Sequence, residues 1–441
     1  MLKWSRRRAL QFFYFALFWL FVLFSLLNDQ TDSRIHGGMQ DEDSATRPSF
    51  PTYLTTNSST YKSTRVLGDS DWAKACVSSR SYKRRLSSST RNQQRRENRQ
   101  RKCDIFTGRW VYDNVSYPLY DEGGCPYMSD QLACTKHGRP DVDYQRMRWQ
   151  PHDCNLKRWN GREMLEKLRN KRLMFVGDSL NRGQWISMVC LLQSMVPTGK
   201  KSMSPNAPLT IFTAEEYNAT AEFYWAPLIV ESNSDDPVNH RLDDRIIRPN
   251  SLYKHASQWK NADILVFNSY LWWRSGPKIK LLWNADDEMC EEADGLDAME
   301  LALETWADWV SSSVNPLKQR VFFVTMSPTH LWSREWNPGS EGNCFKEKTP
   351  INTDSYWGSG SDLSTMKMVE NILDKLDYKV TVINITKLSE YRKDGHPSIY
   401  RKFWETFSPQ QLENPASYSD CIHWCLPGVP DVWNELLFNF L

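Results

Sequence analysis

The chain has 441 residues, 24% of them charged and 40% hydrophobic, with 20 Trp and 10 Cys. This composition excludes a chain disordered from end to end and suits one large globular domain or two fused smaller ones. Charge is uneven: residues 1–102 carry 19 Lys and Arg against 8 Asp and Glu, and residues 103–441 carry 36 against 45. The acidic C-terminal part suits a neutral partner better than a polyanionic one.

Lys3, Arg6, Arg7 and Arg8 precede an apolar run over 9–27, broken only by Gln11 and Ser25. At about 1.5 Å per residue that run is just long enough to cross a bilayer as a helix. The charges ahead of it leave residues 1–8 in the cytosol and everything after Asn28 in a lumen. No small-x-small cleavage site follows it, so the expectation is an uncleaved signal anchor in a single-pass type II protein. Sequons at Asn57, Asn114, Asn218 and Asn384 agree with a lumenal domain. So do ten cysteines without CxxC metal spacing, which point to disulfides in an oxidising compartment.

Residues 28–101 are poor in apolar periodicity and rich in Ser, Thr, Arg and Asn, so they cannot offset chain entropy by burial and are expected to form a disordered stem. The basic run Arg91, Arg95, Arg96, Arg99, Arg101 and Lys102 reads as a solvated stem or a contact to anionic lipid, not as a nucleic-acid site. Residues 102–441 are the expected lumenal domain. Within it, short β-rich apolar runs at 173–176, 264–267, 321–324 and 380–383 have the brevity of buried parallel strands. Helical patterns at 180–192, 296–310, 366–376 and 430–440 accompany them, and the alternation predicts a three-layer α/β/α sandwich.

Gly177-Asp178-Ser179 follows the first of these strands and opens a helix. A serine at such a turn stands at the carboxyl edge of the sheet, where open α/β folds bind ligands. The helix N-terminus there can stabilise an oxyanion, and Gly177 permits a tight approach. The alternative is that Asp178 or Ser179 only caps the helix. Near the C-terminus, Asp420-Cys421-Ile422-His423 is a DxxH arrangement. Its one-turn spacing lets a carboxylate fix the imidazole tautomer and leave Nε2 free to accept a serine proton. His330, in Met326-Ser327-Pro328-Thr329-His330, is the rival histidine. It lacks an acid one turn upstream and reads as structural or substrate-contacting.

GDS and DxxH at opposite ends of one α/β domain are the signature of GDSL or SGNH-type serine esterases. The context is narrower: Cys103 and Asp104 through Trp110 to Asp113, Tyr117-Pro118-Leu119-Tyr120, Cys125-Pro126-Tyr127, Gly138-Arg139-Pro140-Asp141 and Arg148-Trp149-Gln150-Pro151 lead into Phe175 to Arg182. Together with Asp420 to His423 these blocks closely resemble the plant trichome birefringence-like family of polysaccharide O-acetyltransferases. The resemblance covers about residues 103–441. It implies Ser179 as nucleophile, His423 as general base and then acid, and Asp420 as its orienting carboxylate, with the Ser179 N–H as an oxyanion donor. Asn268 sits where the wider esterase fold supplies a donor amide, or is a turn-forming Asn after a strand. Arg182 either binds substrate or pairs with an acid. Many members read GDSxxRNQ, whereas Gly183 replaces that Asn here. The version Asn181-Arg182-Gly183-Gln184-Trp185 is similar to the branch associated with xylan acetylation, so xylan is the first acceptor, with mannan, xyloglucan or pectin open. The family also implies a Golgi membrane location and acetyl-CoA as donor. No permanently bound cofactor and no metal are expected, and the sequence names no protein partner.

Trp272, Trp273, Trp332 and Trp336 fall in expected loops after strands, and one or two of them are expected to stack on sugar; core packing is the ordinary alternative. Cys421 and Cys425 flank His423 too closely to pair together, so each is expected to reach a distant cysteine, in the pairs Cys134–Cys425 and Cys344–Cys421. Cys103–Cys154 and Cys125–Cys190 would tie the N-terminal portion to the sheet. Cys76, in the stem, is expected to be unpaired, which leaves one more free thiol in the folded part. An acetyl esterase with the same triad, and a non-catalytic polysaccharide-binding protein, are the rival functions.

Overall fold

The computed structural model describes residues 103–274, 276, 278–283, 290–404 and 406–441. The expected anchor and stem, with Asn57 and Cys76, lie outside the described residues. Among those described, no helix is long and apolar enough to cross a membrane. In chain order, β1 (Gly108–Tyr112) and β2 (Met147–Pro151) form an antiparallel ribbon, with Trp110 and Trp149 facing edge to face across it. Helix α1 (Gly161–Leu168), β3 (Arg172–Gly177), α2 (Ser179–Gln193), β4 (Lys201–Asn206), β5 (Leu209–Ala214) and β6 (Ala219–Trp225) follow. Next come β7 (Ile246–Ile247), α3 (Tyr253–Trp259), β8 (Ile264–Asn268), α4 (Leu271–Arg274), β9 (Ile279–Leu282), β10 (Cys290–Ala293) and α5 (Gly295–Ser313). The chain closes with β11 (Arg320–Val324), α6 (Leu363–Leu373), β12 (Val380–Ile383), α7 (Thr386–Glu390), α8 (Pro409–Glu413) and α9 (Val429–Phe440).

The main sheet has seven strands in the order β12-β11-β8-β3-β6-β5-β4. The five from β12 to β6 are parallel, and β5 and β4 extend them antiparallel. All four predicted strands lie in the parallel part. Leu173, Met174, Phe175 and Val176 of β3 are fully buried, as an apolar run with both faces covered must be. The sheet is therefore mixed and mostly parallel.

Strand β6 escapes a search for apolar runs because Glu222 interrupts it. That carboxylate is buried and takes a two-pronged contact from the Arg172 guanidinium, at 2.8 and 2.7 Å, which is what makes its burial tolerable. The predicted helix at 366–376 starts earlier and ends sooner. Asp362 caps it by accepting from Thr365 N–H, and after Leu373 the chain tightens into a 3₁₀ turn, Asp374–Lys379.

Helices α1, α2 and α9 pack as one group and α4, α5 and α6 as another. The α2–α9 contact carries a polar seam. Asn434 Nδ2 donates to Gln184 O and Ser187 Oγ, both at 2.9 Å, and Ser187 Oγ donates to Asp431 at 2.6 Å. This seam fixes the C-terminal helix, and so the loop just before it, against the helix that begins at Ser179.

Disulfides join Cys103 to Cys154, Cys125 to Cys190, Cys134 to Cys425 and Cys344 to Cys421, the four expected pairs. Cys290 is disulfide-bonded as well, and no described cysteine is free. The expectation of a free thiol in the folded part is thereby corrected: Cys290 is buried in β10, but as a cystine.

Candidate active site

Strand β3 ends at Gly177, whose neighbours in the sheet are Asn268 of β8 and Trp225 of β6. A Cβ at position 177 would lie 2.1 Å from Asn268 O, so only glycine lets the two strands close up where the chain turns. Asp178 then caps α2: its buried Oδ1 accepts from Leu180 N–H at 2.9 Å. Ser179 is the first residue of α2, where the N–H has no intrahelical acceptor. The cap and the serine thus divide the work, and the capping alternative holds for Asp178 alone.

The DxxH loop meets this turn from the other end of the chain. Ser179 Oγ–H donates to His423 Nε2 at 2.8 Å, and His423 Nδ1–H donates to Asp420 Oδ2 at 2.8 Å. Asp420 Oδ1 accepts from Ile422 N–H and His423 N–H, so one carboxylate sets both the local turn and the tautomer. The loop is pinned at many points. Its two cystines leave on either side of His423. His330 N–H donates to Cys421 O, Cys425 N–H to Gly395 O, and Leu426 N–H to Leu132 O. Ser398 and Asp420 exchange a pair of backbone hydrogen bonds.

The electrostatics keep the carboxylate beside His423 charged. Burial raises the Asp420 carboxyl pKa, but the charge and hydrogen bonds of His423, with the Arg401 guanidinium, outweigh it and hold the group far below the usual carboxylate range. Arg401 Nη1 lies 3.6 Å from Asp420 Oδ2. Asp420 is therefore an anion at any working pH and can stabilise an imidazolium at His423. Asp178 differs: burial pushes its carboxyl up to about 6.

The remaining predicted residues divide. Both amide hydrogens of Asn268 go to carbonyls of Val324 and Thr325, at 3.0 Å each; they tie the end of β8 to the end of β11 and are not turned toward Ser179. The Arg182 side chain is half-buried, and among the described residues it meets no carboxylate and no acceptor, so none of these offers it an acid to pair with. Burial lowers its pKa. His330 is fully buried and bonded away from Ser179. Trp272 and Trp273 belong to α4 rather than to a loop, and both are buried. Trp273 Nε1 donates to Ser269 Oγ, and Trp272 packs edge-on against Trp225. Neither can stack on a sugar, which corrects that expectation for these two. Trp336 is half-buried and donates to Glu347. Trp332 is 47% exposed, with the Arg334 guanidinium 5.0 Å from its ring centre. Among the described sequons, Asn114 and Asn218 are exposed and Asn384 is half-buried.

Two residues at the site went unnoticed in sequence. Arg401 reaches Asp420, and His396 Nδ1 lies 2.7 Å from His423 O. Neither belongs to a motif of fixed spacing, and only Gly395-His396-Pro397, a histidine between two turn formers, offered any signal. Among the described residues no group of His, Cys, Asp and Glu could hold a metal ion.

Comparison with known proteins agrees with this geometry. Residues 156–440 match the PC-Esterase family, described as a GDSL/SGNH-like acyl-esterase family found in Pmr5 and Cas1p, and residues 101–155 match the PMR5 N-terminal domain. The chain is 70% identical over 344 residues to Protein trichome birefringence-like 35 of Arabidopsis thaliana, covering 78% of this chain and 76% of that one. It is 50% identical over 362 residues to Xylan O-acetyltransferase 14 of Oryza sativa subsp. japonica, covering 76% of each, and 47% identical over 348 residues to Xylan O-acetyltransferase 12 of the same species, covering 77% and 69%. With a serine, histidine and aspartate in hydrogen-bonded line at the carboxyl edge of an SGNH-like sheet, the chain belongs to the trichome birefringence-like family.

Proposed function

We propose that this protein is a polysaccharide O-acetyltransferase that acts on xylan through an acetyl-serine intermediate. The observation that carries the reading is the unbroken line Ser179 Oγ, His423 Nε2, His423 Nδ1, Asp420 Oδ2. Names of relatives at 47–50% identity supply the acceptor. In the first half-reaction Ser179 Oγ attacks the thioester carbonyl of acetyl-CoA while His423 takes its proton. The C–S bond breaks, and the thiolate leaves with that proton. In the second, a sugar hydroxyl attacks the acetyl ester, His423 takes the hydroxyl proton, and Ser179 recovers it as the ester bond breaks. The N–H of Ser179 faces the developing oxyanion. Arg182, without an acidic partner among the described residues and one turn along α2, contacts substrate, and Trp332 offers an aromatic face to the sugar chain.

The wider setting belongs to the same proposal. The two helix groups are the outer layers of an α/β/α sandwich, and residues 9–27 anchor the domain in the Golgi membrane with residues 102–441 in the lumen. Lumenal domain given acetyl-CoA alone should gain one acetyl mass on the peptide containing Ser179, and xylo-oligosaccharide should discharge it onto sugar much faster than water does. Product formation without any acetylated serine would remove the nucleophile role. The matched description as acyl-esterases favours one second reading, hydrolysis. Acetate released equally with and without xylo-oligosaccharide would establish it. Failure to react with a fluorophosphonate probe would point instead to a non-catalytic binding protein.

A further inference from the structure

Behind His423, two buried histidines lie in line between two main-chain carbonyls. His330 Nε2 is 2.9 Å from Glu390 O, His330 Nδ1 is 2.7 Å from His396 Nε2, and His396 Nδ1 is 2.7 Å from His423 O. Each contact has hydrogen-bond length, and each needs one proton. A carbonyl oxygen only accepts, so His330 Nε2 and His396 Nδ1 must both be donors. A neutral imidazole carries a single ring proton. With those two placed, His330 Nδ1 and His396 Nε2 would face each other as bare lone pairs at 2.7 Å. Any other placement of two protons turns a lone pair toward a carbonyl oxygen. Three bonds require three protons, and two neutral rings supply only two.

We infer that His330 and His396 share one extra proton, forming a buried imidazolium–imidazole pair that positions the main chain of His423. Independent geometry supports the charge. The His396 ring stacks on Trp424, with centroids 4.2 Å apart and planes at 26°, a face that favours a cation. Of the charged groups facing the pair, the Asp394 and Asp420 carboxylates favour the proton, while Lys393, Arg139 and a protonated His423 oppose it. Glu390 presents its carbonyl to His330, and burial pushes its own carboxyl up to about 7. Burial also pushes both ring pKa values down. Against that stand three hydrogen bonds that only the singly charged pair completes, two of them charge-assisted. His423 is then gripped on both sides of its peptide, its N–H by Asp420 and its C=O by His396. As rising pH strips the shared proton, the bond between the rings is lost and two lone pairs face each other at 2.7 Å. Their repulsion drives the rings apart, and His396, no longer tied to His330, holds the His423 carbonyl less firmly.

The proton count stands alone, whereas its kinetic consequence rests on the acyl-transfer reading; the experiment separates them. In the full chain labelled with ¹⁵N-histidine, the two rings should carry three slowly exchanging protons at neutral pH. One of these should couple to nitrogens of both rings, and the count should fall to two as pH rises. Two protons at neutral pH overturn the inference, and this readout needs neither a variant nor activity. Kinetically, kcat/KM of the wild type should fall on the alkaline side. His330→Gln should lack that fall, because an amide nitrogen carries two hydrogens and no titrating proton. A wild type without the alkaline fall, or a variant that shares it, overturns the positioning role.

Discussion

Ser179 Oγ and His423 Nε2 lie 2.8 Å apart across 244 residues of sequence. One comes from the turn after the central strand and the other from the loop before the last helix, so the contact depends on how α2 and α9 pack. Replacing Ser179 by Ala removes a hydroxyl that, among the described residues, is bonded only to His423. Acetyl transfer should drop roughly 10⁴-fold or more, with the melting temperature near that of wild type. His423→Ala should cost about as much, since triad members act as a unit, and Asp420→Asn the same or less. An active His423→Ala beside an inactive His330→Ala would reverse the assignment.

The cystines beside His423 hold its loop as well as the fold. Cys344–Cys421 closes a separation of 77 residues. The double variant Cys344→Ser with Cys421→Ser should lose about 2–4 kcal/mol of stability, measured by denaturant unfolding. At temperatures where it is still folded, kcat should fall too, because Asp420 and His423 are adjacent to the severed link. Wild-type kcat in the folded double variant would limit the bond to a stabilising role.

Glu435 predicts a dependence of stability on pH. Burial pushes its carboxyl from the ordinary 4.5 up to about 7, and the hydrogen bond from Tyr117 offsets only part of that. Between these values the folded state binds more protons than the unfolded one, so this group's contribution is complete below pH 4.5 and is lost as pH rises through 7. Relative to Glu435→Gln, the wild type should therefore weaken by up to about 1.4 kcal/mol per pH unit in that window. Parallel stability curves for the two proteins would show that Glu435 titrates normally.

Arg182 is half-buried without an acid or acceptor among the described residues, an arrangement unfavourable for folding. Arg182→Met should leave the melting temperature unchanged or raise it, while kcat/KM falls at least roughly tenfold. A large loss of stability with normal kcat/KM would return Arg182 to a structural role.

The sequence by itself determined the chemistry-bearing residue types and the strands that carry them. Apolar runs such as Leu173 to Val176 must be buried on both faces, so β3, β8 and β11 were legible as interior strands, and so was the turn that presents Ser179. The run at 380–383 was legible as a strand, but not its place at the sheet edge, with Thr381 half-buried and Val382 exposed. The spacing of Asp420 and His423 is local, within one turn, and needed no fold to be understood. Tertiary structure decided the rest, because the deciding partners are distant in the chain. Glu222 became part of a strand only once Arg172 neutralised it. Trp272 and Trp273 became core because α4 turns them inward, and Asn268 gave its hydrogens to the end of β11. His330 and His396 carry no mutual spacing and no shared motif. Their alignment between the carbonyls of Glu390 and His423 follows from packing three separate segments together, and a count of protons requires distances that only the folded chain has.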